Sequence, residues 1–393
     1  MKKLLLFSII ACAASLTAAA QSSIDLIVAT LQQNNARLKA SRAQVSADSL
    51  NMRTANNLED PRLAFEYNFG SREGDKWGIG ISQGFDWPGL YGERATATRH
   101  RTDALSAAAR AEAVETGLSA RLLCLDIVHT NRLIEAQQLI LDNVNELFAL
   151  YSKAFELGES SIIDLNKIKI ERIAARQALD ALTSDRNSLM EQLAAMNGNR
   201  PFDGIALDAL NSYPADELLA FDTYRNLYAT ANPQAEYFAH LGNSAKSSVK
   251  AARMGWLPKF ELGYQYTNEL GEGFNGVTAG VSIPLFSNKR KVAAARAEAL
   301  TVELNRATVD DENEARIKAE FARAVALKSQ LTQYGEVIAN DANFTVLRKA
   351  LDGGQITLLN YLLELRYFLD AKQKYLDLEH SYHATVASLS RYK

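Results

Sequence analysis

The chain has 393 residues, of which 47% are hydrophobic and 23% charged, and carries a formal net charge of −3. That mildly acidic balance excludes a nucleic-acid binder, which needs a basic stripe. With two cysteines in the whole sequence, a disulfide-stapled scaffold is excluded as well.

Lys2 and Lys3 form a basic start, residues 4–11 an apolar run, and Ala18-Ala19-Ala20 a small-residue cleavage site before Gln21. Residues 1–20 therefore read as a secretory signal peptide, too short to hold the protein in a bilayer. Cys12 offers a second reading, a lipoprotein beginning at that cysteine, although Ile9-Ile10-Ala11 make a poor lipobox. Removal of residues 1–20 takes away two lysines and no acids, which shifts the net charge from −3 to about −5. The cysteine that remains, Cys124, lies in a helical pattern, and no later apolar run is long enough for a membrane helix. An exported chain of this kind is periplasmic, extracellular, or placed in the outer membrane as strands.

Residues 21–197 form a first repeat. Ser22 to about Asn57 has helical patterning. A hairpin over 62–88 follows, with Leu63, Phe65, Tyr67 and Phe69 on one face and Ala64, Glu66 and Asn68 on the other. Its second strand alternates in the same way, except that Gln83 falls on the apolar side with Ile81, Phe85 and Trp87. Residues 93–157 are free of proline, with apolar residues at three- and four-residue spacing (Leu118, Leu122, Leu125), and predict a helix about 95 Å long. Gly158 marks a turn, and another helix covers 161–196.

Residues 198–215 form a linker, and 216–393 repeat the plan: helix to about 253, hairpin over 259–284, long helix over 289–352, turn near Gly354, helix to 391. The duplication is written in identities. Gly80, Gly84 and Pro88 stand 196 positions before Gly276, Gly280 and Pro284, and Gly158 stands 196 before Gly354. Phe260, Leu262, Tyr264 and Tyr266 repeat the apolar face, opposite Glu261, Gly263 and Gln265.

The fold class is mainly α with a small antiparallel β part, the long helices packing side by side as coiled coils. A small soluble sheet with one buried side would show the same alternation. Strands of bilayer-crossing length, aromatics near their ends (Trp77, Trp87, Tyr91, Trp256) and polar hairpin tips favour a membrane barrel instead. Four strands cannot close, and an open edge in lipid leaves backbone groups unpaired at several kcal/mol each. Three copies would close a twelve-stranded transmembrane β-barrel, so a homotrimer is expected.

The duplicated plan resembles the TolC-type outer-membrane efflux protein family over essentially the whole mature chain. The residues that carry the resemblance are Val281-Ser-Ile-Pro-Leu-Phe286, Trp256-Leu-Pro258 and the glycine turns at Gly158 and Gly354. Residues 59–63 and 82–89 resemble the CusC/CzcC-like heavy-metal branch. The resemblance implies a trimer whose barrel sits in the outer membrane on a long periplasmic α-helical barrel. It also implies docking to a periplasmic adaptor (membrane fusion) protein fed by an inner-membrane RND-type pump. A passive export duct for metal ions or small toxic compounds follows. A type I protein secretion duct shares the same plan, and a periplasmic coiled-coil structural protein is the rival without a membrane.

Three groups of residues are candidates. Leu157, Gly158, Glu159, Ser160, Gly353, Gly354 and Gln355 form turns that an adaptor would contact, though a helix–turn–helix needs its glycines in any case. By the resemblance, Asp164, Asn360 and Glu364 form a periplasmic gate; Asn360 departs from the acidic residue of the best-known member, and an exposed helix carboxylate is the plain alternative. Glu66, Asn68, Glu261 and Gln265 should face the barrel lumen. His380 and His383 with Glu379 lack a positioned third ligand and read as surface residues. No cofactor, metal or catalytic constellation is expected.

Overall fold

The computed structural model describes residues 23–71, 74–202, 207–338 and 342–393; the expected signal peptide and Cys12 lie outside them. In chain order the elements are α1 (residues 23–34), α2 (Ala36–Thr54), β1 (Arg62–Ser71), β2 (Gly74–Phe85), α3 (Pro88–Glu156) and α4 (Ile162–Met196). After a short 3-10 turn come α5 (Phe221–Ala231), α6 (Pro233–Met254), β3 (Lys259–Glu269), β4 (Glu272–Ser282), α7 (Lys291–Ile338), α8 (Ala342–Asp352) and α9 (Leu358–Leu389). Among the described residues, no helix is long and apolar enough to cross a membrane.

Two helices expected to be continuous are each broken by an asparagine. Asn35 interrupts the first, its side chain accepting from Leu38 N at 3.0 Å and donating to Met196 O at 2.8 Å. Asn232 interrupts the other, accepting from Gln234 N at 2.9 Å, with Pro233 at the first helical position. An asparagine oxygen satisfies the free amides of a new helix start, and proline there costs no hydrogen bond. Hydrophobic periodicity runs straight through such a cap, so it does not reveal the break.

The chain divides into two compact units, one of Met1–Lys39, Glu112–Ala231 and Glu314–Lys393, the other of Ala40–Ala111 and Asn232–Asn313. The core of the first unit gathers Ile24, Ile27 and Leu31 of α1, Cys124, Leu125 and Val128 of α3, and Leu193 of α4. Phe202, Leu210 and Tyr213 join it, so part of the expected linker is buried core. Burial pushes the Cys124 thiol up to about 12, which leaves it unreactive. The second unit contains the sheet, in the order β1-β2-β3-β4, every pair antiparallel.

The strands β3 and β4 run almost to the tip of their hairpin. Leu270 and Gly271, both at positive φ (56° and 85°), form the whole connection from β3 to β4. Two such residues give the tight hairpin turn whose twist matches its strands.

Candidate functional site

The register sorts the sheet into two chemically opposite faces. Leu63, Phe65, Ile79, Ile81, Leu262, Tyr264, Val277 and Val281 share one face, and all are exposed, Val277 to 82% and Phe65 to 68%. Aromatic pairs lie on it, Trp77 with Tyr266 at 5.7 Å and Trp87 with Phe260 at 5.8 Å. A soluble sheet buries such a face; this one leaves it open.

Glu66, Asn68, Glu261 and Gln265, the expected lumen residues, share the opposite face with Gly78, Gly80, Ser82 and Gly263. Small residues are required there. A Cβ at Gly263 would stand 2.6 Å from Thr278 Oγ1 and 2.8 Å from Ile81 O. Gln83, the exception on the apolar face, donates to Glu59 O at 2.5 Å and Gly84 O at 3.0 Å. Its amide ties the approach segment to the end of the sheet, a role no local pattern announces. Beside it, Lys259 bridges Asp86 at 2.9 Å and Glu59 at 3.3 Å, and Arg94 reaches Asp86 at 2.7 Å.

The two glycine turns are built alike, bond for bond. Gly158 (φ 75°) donates to Phe155 O at 3.0 Å and Glu159 to Ala154 O at 2.8 Å. Gly354 (φ 70°) donates to Leu351 O at 2.9 Å and Gln355 to Ala350 O at 2.8 Å. Each is a Schellman C-cap, which requires the left-handed residue that glycine supplies. Leu157, Glu159, Gly353 and Gln355 are exposed and Ser160 is half-buried. A shared core lies behind the turns, with Tyr361 fully buried among Ile140, Val144, Leu147, Ile168 and Leu365.

No family model and no curated protein matches the sequence. Solved structures do. CusC, whose structures follow folding and transmembrane channel formation, is 16% identical, covering 94% of this chain and 92% of its own, with a TM-score of 0.72. The CmeC outer membrane channel of Campylobacter jejuni is 14% identical over 94% and 85%, with a TM-score of 0.75. The outer membrane protein VceC of Vibrio cholerae is 13% identical over 94% and 96%, with a TM-score of 0.74. The chain has the fold of an outer-membrane channel. This is the fold that the TolC-type resemblance implied.

Within this channel fold, the three expected gate residues sit near the two turns with distinct local roles. Ser161 caps α4, accepting from Asp164 N at 3.1 Å and donating to Asp164 Oδ2 at 2.9 Å, and Lys167 lies 3.2 Å from Asp164 Oδ1. The Ser161 bond and then Lys167 hold the Asp164 carboxyl below the usual carboxylate range. Thr357 caps α9 in the same way, accepting from Asn360 N at 3.2 Å. Asp164 and Asn360 thus occupy the same position of two matching caps, which explains why a carboxylate and an amide both serve there. Glu364, one turn further along α9, is exposed.

The C-terminal histidines are not the surface residues their spacing suggested. His380 Nε2 lies 2.7 Å from Asp126, Glu379 pairs with Arg132, and the His383 ring stacks on Tyr213 at 4.5 Å. These partners spread the three apart in function, so they do not converge on a metal. Burial, helped by Arg132 and His380, pushes His383 down to about 4 from 6.5. The unfolded chain therefore takes up that proton first. Stability is complete above pH 6.5 and falls as pH drops toward 4, by roughly 3 kcal/mol in full. Thermal unfolding in detergent should show this loss between pH 7 and pH 4.5, and His383→Phe should remove most of it. A variant that keeps the whole pH dependence would refute the assignment.

Proposed function

We propose that this chain is one protomer of a homotrimeric exit duct in the outer membrane, with its helices in the periplasm. It serves as the passive outer component of a tripartite efflux pump for metal ions or small toxic compounds. The observation that carries this reading is the sheet. It has an exposed apolar face, a polar glycine-rich face, and its outer strands β1 and β4 each paired on one side only. Three copies joined edge to edge would close twelve strands, put the apolar face in lipid and line an aqueous lumen with Glu66, Asn68, Glu261 and Gln265. The partners on this reading are outer-membrane lipid, a periplasmic adaptor and an inner-membrane RND-type pump.

Membrane fractionation with gel migration before and after heating tests the reading. A heat-sensitive trimer in the outer-membrane fraction is expected; a protein that stays soluble without detergent would overturn it.

The turns carrying Leu157, Gly158, Glu159 and Ser160, and Gly353, Gly354 and Gln355, form the adaptor-docking tip, and Asp164, Asn360 and Glu364 the gate behind it. Exposure of the turn residues beside a rigid helical core supports this placement. Glu159→Lys reverses an exposed charge without touching the turn's hydrogen bonds. Gly354→Pro removes the donor to Leu351 O and a φ of 70° that proline cannot adopt. Both should abolish resistance conferred by the pump while trimers persist; full resistance in Glu159→Lys would exclude docking at this tip.

A further inference from the structure

In the second unit, α3 and α6 run antiparallel and touch at matched intervals. Lys250 lies 3.8 Å from Glu93, Ser244 Oγ donates to Ala97 O at 2.8 Å, Leu241 packs with Ala104, and Arg110 pairs with Glu236. Inside that ladder, His100 and Asp103 of α3 face His240 of α6. The Nδ1 atoms of His100 and His240 stand 4.0 and 3.9 Å from the same oxygen, Asp103 Oδ2. One ligand atom from each of the three residues lies within 4.8 Å of the others.

These separations are too long for hydrogen bonds. Both Nδ1 atoms are shielded from solvent and have no hydrogen-bond partner. Two unpartnered imidazole nitrogens beside one carboxylate oxygen place three possible donors around one point. Ligand atoms on one tetrahedral ion, bonded at roughly 2.0–2.2 Å, stand about 3.4 Å apart, so side-chain rotation must shorten the Asp103 separations by about half an ångström and the widest separation, at most 4.8 Å, by up to about 1.4 Å. Contacts on both sides of the histidines hold the helices in register while that happens.

We propose that His100, Asp103 and His240 bind one divalent transition-metal ion, of the class that favours imidazole with carboxylate: zinc, cobalt, nickel or copper. Magnesium and calcium, which want more oxygen ligands, do not fit the donor set. Three protein ligands leave one position for water or a small anion. The ion staples residues of α3 to a helix some 140 positions later in the chain. The site is independent of the duct reading: it concerns a resident ion rather than the exported substrate, and it stands whether or not the protein is a channel.

The test uses the tag-free protein in detergent, stripped with chelator and titrated with Co2+, followed by Zn2+ competition. One cobalt per chain with the strong visible bands of a four-coordinate ion is expected. His100→Ala and His240→Ala should each weaken binding at least about tenfold, and His380→Ala, whose ring is already paired with Asp126, should leave it unchanged. Zn2+ should also raise the unfolding temperature of the parent and not of the His100→Ala/His240→Ala double variant. Equal binding by parent and variants, or cobalt that keeps its pale six-coordinate aqueous spectrum, would overturn the site. Should the alanine variants fail to fold, the spectrum of the parent alone decides.

Discussion

Val277→Arg is expected to abolish membrane-inserted trimers, while Gln265→Arg leaves them intact. Val277 lies at the middle of β4, 82% exposed, in register with Tyr264, and Tyr264 pairs in turn with Ile81. If this face meets lipid, an arginine at mid-strand lies near the bilayer centre and costs about 2–4 kcal/mol per copy. Three copies in one barrel multiply that cost. Gln265 sits on the opposite face between Gly80 and Gly276, where glycines leave room for a longer side chain. There an arginine meets water and should alter conductance without altering assembly. The readout is trimer yield in the outer-membrane fraction. Equal assembly by both variants would remove the apolar face from lipid, and failure of both would show that the sheet tolerates no bulk on either face.

Tyr361→Ala should destabilise the helical tip by about 3–5 kcal/mol, because the ring is fully buried where α3, α4, α8 and α9 share one core. The hydroxyl is a separate contribution. It accepts from Asn143 Nδ2 at 2.8 Å, Asn143 Oδ1 accepts from Arg348 at 3.0 Å, and Arg348 lies 3.2 Å from Asp352 at the end of α8. Tyr361→Phe keeps the ring and leaves the buried Asn143 amide short of a partner, at about 1–3 kcal/mol. Hydrogen exchange along residues 143–170 and 346–365 should report both losses, the alanine variant the larger. Equal losses would assign the stability of the tip to the polar network rather than to the ring.

The faces of the strands were legible because they are a property of neighbouring residues. Leu63, Phe65 and Tyr67 alternate with Ala64 and Glu66 whatever else the chain does, and the register keeps that division across all four strands. The turns were legible for the same reason: Gly158 and Gly354 stand where two helices meet, and a left-handed residue is a local need. The asparagine caps at Asn35 and Asn232 were written at the same repeat distance as the prolines Pro61 and Pro258, 197 positions apart. An asparagine inside a periodic stretch carries little signal by itself, so the helices read as unbroken.

The grouping of Glu66, Asn68, Glu261 and Gln265 on one polar face followed from alternation alone, whereas the matching capping roles of Asp164 and Asn360 emerged only with Ser161 and Thr357 in place. His383 looked like a surface residue because its helical spacing says nothing about Tyr213, which lies 170 positions earlier.

Sequence by itself determined the two faces of the sheet and the positions of the glycine turns, since each depends on residues within a few positions of one another. Only the tertiary structure decided that Gln83 ties down the sheet end, that part of the linker fills the core, and that His240 meets His100 and Asp103. Such meetings depend on the register between helices far apart in the chain. That register is set by the sum of many side-chain contacts along α3 and α6, and no short stretch of sequence contains it.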